Sequence, residues 1–136
     1  MRHFSASALA AAAAVLMCAS CGNGYRVQSP EDAGKFLSEH GIETAGECTV
    51  KDITIPAEFG DVYERYNELQ KRQGFDLAGY RDREAQVYTF GVASVDGGHT
   101  DFTEAHVIVC GGEVIGGDIA SYAIDGGMDV IVGERD

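Results

Sequence analysis

Four side chains in the C-terminal third of the chain carry groups that act in hydrolysis or metal binding: His99, Glu104, His106 and Asp118. Glu104 and His106 alternate onto one face of a predicted strand, and His99 could reach them from the preceding loop. Histidine and glutamate are both zinc ligands, and a catalytic zinc site needs three protein ligands and one open position. The pattern is compatible with a small metal-dependent hydrolase. It is also compatible with a polar strand face beside a loop histidine, which is the interpretation we favour.

Asp118 follows two pairs of glycines that predict its surroundings. Gly111-Gly112 lies between two apolar runs, the pattern of a β-hairpin whose tight turn needs positive φ. The second pair, Gly116 and Gly117, predicts a bulge, a bend or the close approach of another backbone. Because its neighbours have little side chain, a ligand could reach the Asp118 carboxylate, although the carboxylate could instead bond to the glycine backbone. We place a candidate ligand site at these three residues.

A predicted helix from Ala57 to Gln73 could complete this site. Its apolar residues recur at intervals of three and four and form a stripe: Phe59, Val62, Tyr63, Tyr66 and Leu69. Such a stripe predicts that the helix packs on a sheet through its apolar face. Tyr63 and Tyr66 could line the ligand site, although tyrosines at helical spacing are more often core residues.

The remaining elements position these residues. Ser29 and Pro30 predict the start of an earlier helix that ends at Gly41. A strand is predicted from Thr44 to Ile55, with a bulge near Lys51-Asp52 because the alternation changes phase. Further strands are predicted over Arg83–Val95, Phe102–Cys110 and the second arm of the hairpin to Ala120. The short apolar run Val130–Val132 is either a last edge strand or a tail that packs under the sheet. Helices followed by hairpin-linked strands predict an α+β fold, with two helices packed on a mainly antiparallel sheet and a C-terminal glycine-rich hairpin.

The N-terminus has the pattern of an export signal. A basic start precedes an uncharged, alanine-rich run, Phe4–Met17, that is too short to span a bilayer as a helix. The sequence Cys18-Ala19-Ser20-Cys21 is similar to the lipobox of bacterial lipoproteins and predicts lipidation of Cys21. We expect a lipoprotein signal peptide at 1–20, a tether at 21–28 and a single α+β domain at 29–136. An ordinary secreted protein is the alternative.

The chain is acidic, with 22 acidic and 10 basic residues and a formal net charge of −12. Nucleic acids and anionic lipid headgroups would be repelled by this charge, so neither is an expected partner. The attached lipid would instead provide the membrane contact. This predicts a protein held at the extracytoplasmic face of the cell membrane.

Two cysteines, Cys48 and Cys110, remain in the predicted domain after processing. In an exported protein they could form a disulfide. Each could also be a small buried apolar residue.

Four motifs occur in series: Ile55-Pro56-Ala57-Glu58-Phe59, Tyr66-Asn67-Glu68-Leu69-Gln70-Lys71, Gln73-Gly74-Phe75-Asp76-Leu77 and Val114-Ile115-Gly116-Gly117-Asp118-Ile119. With them, the chain from about Glu31 to Met128 resembles the bacterial family called domain of unknown function 4830. The resemblance implies an exported or membrane-tethered protein. It implies no activity and no catalytic residues.

We therefore expect a noncatalytic binding or accessory domain that needs no cofactor and that contacts an envelope protein or a small ligand. The alternative is a small metal-dependent envelope hydrolase that uses His99, Glu104, His106 and Asp118. A purely structural accessory domain is a third possibility that the sequence does not separate from the first.

Overall fold

The computed structural model describes residues 24–97, 101–123 and 126–135. The predicted signal, Cys21 and His99 lie outside the described residues. In chain order the elements are α1 (Pro30–Glu39), β1 (Ile42–Thr54), α2 (Asp61–Arg72), a 3₁₀ turn (Leu77–Tyr80), β2 (Glu84–Val95), β3 (Glu104–Cys110), β4 (Glu113–Ala120) and β5 (Met128–Asp129). Within these ranges the strands form one antiparallel sheet in the order β1-β2-β3-β4-β5. The predicted α+β arrangement of two helices on an antiparallel sheet is confirmed.

Helix α1 begins and ends as its sequence predicts. The Ser29 hydroxyl accepts a hydrogen bond from the Asp32 amide at 3.2 Å, and Pro30 occupies the first turn. After Glu39 the chain leaves the helix, and Gly41 takes a positive φ of 82°. The helix buries Ala33, Phe36 and Leu37 against the sheet.

The two helices cover opposite faces of the sheet. Ala105, Val107 and Val109 of β3 belong to the apolar cluster under α1. The alternate residues Ile108 and Cys110 belong to a second cluster, which lies on the side of α2. Since successive strand residues point to opposite faces, the sheet is the middle of three layers. Neither helix, nor any other in the described part of the chain, is long and apolar enough to cross a bilayer.

The predicted bulge in β1 lies earlier than Lys51-Asp52. Ala45 pairs with Gly91 and Thr49 pairs with Thr89, so residues 46–48 lie opposite the single residue Phe90. Gly46 permits this because it adopts a φ of 77°. This bulge explains why the alternation of apolar residues changes phase along β1, but the predicted position of the bulge is wrong.

The proposed disulfide between Cys48 and Cys110 is not formed, and both cysteines are free thiols. Strand β2 separates β1 from β3. Neighbouring strands lie about 4.8 Å apart, so β1 and β3 are separated by about twice that distance, whereas the Cα atoms of a disulfide lie within about 7 Å. The two thiols also belong to the apolar clusters on opposite faces of the sheet.

Candidate functional site

The glycine pair of β4 is held by two glutamines of the α2 region. The Gly117 amide donates to Gln70 Oε1 at 2.8 Å, and Gln73 Nε2 donates to the Gly117 carbonyl at 2.9 Å. Gln73 Oε1 also accepts from the Ile131 amide at 2.8 Å. Because β5 pairs only with Ile119 and Ala120, these side-chain amides satisfy the edge of β4 where β5 does not reach.

These bonds determine which face of α2 is buried. Asn67, Gln70 and Gln73 are buried, and the Asn67 side chain accepts from the Leu77 amide at 2.7 Å. Val62, which was predicted to face the sheet, is 75 % exposed. The predicted packing of α2 through its apolar stripe is therefore correct only in part: Tyr63 and Tyr66, with Phe59 before the helix, pack against the apolar cluster on this face of the sheet, whereas Val62 does not. The helix also packs through amides, because amides can bond to an unpaired strand edge and apolar side chains cannot.

The close approach predicted at Gly116 and Gly117 is made by protein groups. A Cβ atom at Gly116 would lie 2.8 Å from Gln70 Oε1. A Cβ atom at Gly117 would collide with the His106 carbonyl oxygen and lie 2.7 Å from the Ile131 side chain. Both glycines are needed for packing, and the space beside them is filled by the fold itself.

Five polar side chains form a hydrogen-bonded chain, here called the Asp118 network: Tyr66, Asp118, His106, Glu104 and Tyr122. The Tyr66 hydroxyl donates to Asp118 Oδ2 at 2.6 Å, and His106 Nδ1 lies 2.9 Å from Asp118 Oδ1. His106 Nε2 lies 2.8 Å from Glu104 Oε1, which also accepts from the Tyr122 hydroxyl. The network ties α2, β4, β3 and the segment after β4 together.

The pKa values of two members of the network, His106 and Tyr66, are raised. The hydrogen bond to Asp118 raises the pKa of His106 above its ordinary value of 6.5, and Glu104 adds to the effect, while burial opposes it. Burial raises the pKa of Tyr66 well above its ordinary value, and the Asp118 carboxylate adds to this. The network therefore favours an imidazolium that donates to two carboxylates.

This arrangement bears on the predicted metal ligands. Glu104, His106 and Asp118 do come together, but both ring nitrogens of His106 are directed at carboxylate oxygens. Within the described ranges, no group of three His, Cys, Asp or Glu side chains could hold a metal ion. His99, the other predicted ligand, lies outside them.

The outward flank of α2 forms an open apolar groove of about 440 Å³ with β5. We call it the α2 groove; it is lined by Val62, Tyr63, Arg65, Tyr66, Leu69 and Met128. Met128 is 57 % exposed. Tyr66 connects the groove to the Asp118 network, and the Tyr63 ring packs against Phe59 with centroids 4.6 Å apart.

The sequence predicted that both tyrosines line a site, but it did not predict the groove or the presence of Arg65 and Met128 in its wall. The burial of amides under α2 could have been recognised from the sequence. Asn67, Gln70 and Gln73 recur every three positions and form a second, polar stripe on the helix. In that stripe, Gln70 and Gln73 carry the acceptor and the donor that bond to the backbone of β4. The predicted ligand residues Tyr66, Gly116, Gly117 and Asp118 are neighbours, but Asp118 is buried.

The family model described as domain of unknown function (DUF4830) matches residues 36–119, which is more than half of the chain. The match includes α2, the glycine pair of β4 and every residue of the Asp118 network except Tyr122. No curated protein and no solved structure matches the chain. The chain belongs to the family of domain of unknown function DUF4830.

Proposed function

We propose that this protein is a noncatalytic binding or accessory domain, tethered by a lipid at the outer face of the cytoplasmic membrane, with the α2 groove as its contact surface. The observation that carries the proposal is the orientation of α2. The helix buries three amide side chains and exposes Val62 beside Leu69 and Met128. A protein partner that covers this surface is the occupant we expect.

The energetics favour occupation of the groove. Fully burying one valine, leucine or methionine side chain contributes about 1.5–3 kcal/mol. Three such side chains lie together on the α2 groove, two of them more than half exposed. Exposed apolar side chains grouped in this way are the surface feature from which we infer a contact site.

The Asp118 network supports binding rather than hydrolysis. The Asp118 side chain is only 3 % exposed, and it already bonds to Tyr66 and His106. Each acid and base in the network has another member as its partner, so no group is directed at a substrate. The network therefore serves to fix Tyr66, and through it α2, against the sheet.

The tether rests on the sequence before Cys21, which has small residues in the lipobox positions. Substitution Cys21→Ala should release the protein from the membrane fraction and abolish acyl labelling. Persistence of the label on this variant would identify Cys18 as the acceptor.

The contact surface is tested by placing a photo-cross-linking amino acid at position 62 of the full chain in cells. The matched control carries the same amino acid at Glu64, which is exposed on the same helix but points away from the groove. We expect a discrete cross-linked species, identified by mass spectrometry, from position 62 only. Identical patterns from the two positions would contradict the proposal.

A further inference from the structure

The flank of α2 beside the groove carries four exposed charges of alternating sign: Asp61, Arg65, Glu68 and Arg72. Their spacings of four, three and four residues place them along one side of the helix. Arg65 also lines the α2 groove, next to Val62 and Leu69. The apolar flank is therefore bordered by a row of charges in the order minus, plus, minus, plus.

This row is complementary to itself when reversed. Read from Arg72 back to Asp61, the signs are opposite to those read forwards. Two copies of α2 placed antiparallel, with their midpoint between Tyr66 and Asn67, bring Asp61 of each copy opposite Arg72 of the other. The same placement brings Arg65 opposite Glu68. Four ion pairs of opposite charge result, two of each kind by symmetry.

We propose that the partner of the α2 groove is a second copy of this chain, packed antiparallel along α2 in a two-fold dimer; this rests on the proposed function of the groove as a contact surface. In such a dimer Val62 of one copy lies near the level of Leu69 of the other, so the two apolar flanks cover each other. The antiparallel order also places each helix N-terminus near the C-terminus of its neighbour, which is favourable for the helix dipoles.

The bonds that these charges already make are compatible with the dimer. Arg72 Nη2 lies 3.9 Å from Asp129 Oδ1, and Glu68 Oε2 lies 3.4 Å from Lys71 Nζ. The side chains of Arg72 and Glu68 are nonetheless 51 % and 68 % exposed. Each therefore presents accessible surface to a second copy while it keeps its present neighbour.

Two chains of the same net charge repel each other, but dissolved salt screens this repulsion at long range. Two chains of formal charge −12 repel each other at low ionic strength. At physiological ionic strength the Debye length is about 8 Å, so charges beyond the interface are largely screened, while the paired charges are in contact. Association should therefore be measured at physiological salt.

The test is sedimentation velocity of the full chain, purified in density-matched detergent, over a wide range of protein concentration. We expect a reversible monomer–dimer equilibrium. The single variants Arg65→Glu and Glu68→Arg should each weaken the dimer about tenfold, because two like-charge pairs replace two ion pairs. Glu64→Arg, on the side of α2 away from the groove, should leave the dimer unchanged.

Mixing the two weakened variants is the decisive step. The Arg65→Glu chain presents glutamate at 65 and 68, and the Glu68→Arg chain presents arginine at both positions. Antiparallel packing pairs these residues with opposite charge, so the mixture should dimerise at least as well as the unmodified chain. Circular dichroism of each variant confirms that the helices have formed.

Two results would overturn the dimer: a chain that stays monomeric at every concentration, or a mixture that associates no better than its components. A different protein captured from position 62, with the chain itself monomeric, would leave the proposed function standing without the dimer. Failure of both experiments would remove both proposals.

Discussion

At the scale of single residues, the Asp118 network depends on one irregularity in the β3–β4 pairing. Val109 pairs with Val114, but Ile108 pairs with Gly116, so Ile115 is an extra residue in β4. This shift brings Asp118 opposite His106. Counting back from the Gly111-Gly112 turn without a bulge would place Asp118 opposite Ala105 instead. The sequence could identify the chemical groups, but it could not predict their alignment.

The protonated form of His106 should stabilise the fold. Its pKa is raised in the folded state, so its contribution is fully present below the unfolded pKa of about 6.5 and is lost as pH rises through the folded value. The groups that face it are Glu104 and Asp118 on the strands, with Tyr66 and Tyr122 at the ends of the network.

We therefore predict that the free energy of unfolding decreases as pH rises above about 6.5, and that His106→Gln removes most of this decrease. Urea denaturation of both proteins at a series of pH values measures the effect. Parallel pH profiles for the two proteins would show that His106 is not the group responsible.

At the scale of elements, the orientation of α2 separates what the sequence predicts from what it does not. Periodicity correctly predicts a helix here, although the structure begins it at Asp61 rather than Ala57. It also predicts that the apolar stripe faces the sheet, which is correct for Tyr63 and Tyr66 and wrong for Val62. The sheet edge under α2 offers an unpaired amide and carbonyl at Gly117. These backbone groups of β4 bond to Gln70 and Gln73, so the amide side of α2 is buried and Val62 is left exposed. The sequence of the helix alone does not reveal that a distant strand needs these bonds.

Gln73 carries much of this contact, so its loss should be costly. In Gln73→Met a side chain of similar volume remains, but the Gly117 carbonyl and the amides of Ile131 and Val132 lose their partners. We expect the free energy of unfolding to fall by about 3 kcal/mol. Lys71→Met, an exposed change on the same turn, should alter it by less than about 0.5 kcal/mol. Equal effects in urea denaturation would contradict the role given to Gln73.

Gly117 tests the close packing of the same contact. The Cβ of Gly117→Ala would meet the His106 carbonyl and Ile131, and the backbone must move to admit it. We expect a loss of about 1–3 kcal/mol in the free energy of unfolding. At Gly79 an added Cβ meets no atom within 4 Å. Gly79→Ala should therefore be close to neutral, and thermal unfolding of both variants compares them.

At the scale of the whole molecule, the two faces of the sheet are covered in different ways. The α1 face has an apolar helix over an apolar cluster, and the sequence predicted this helix and its cap correctly. On the other face α2 is attached by amides, by the Asp118 network and by tyrosines that pack on the second apolar cluster, while Val62 and Met128 are exposed. One face of the sheet is thus closed by α1, and we propose that the exposed apolar side chains on the other face contact a partner.

The most direct test of this account is the oxidation of Met128 by hydrogen peroxide. Met128 is the only methionine after the predicted signal, and in the structure it forms one wall of the α2 groove, 57 % exposed. We predict rapid oxidation in the dilute purified chain and several-fold slower oxidation in native membranes, where the proposed partner would cover the groove. Equal oxidation rates in the two preparations would show that the groove is not a contact surface in the cell.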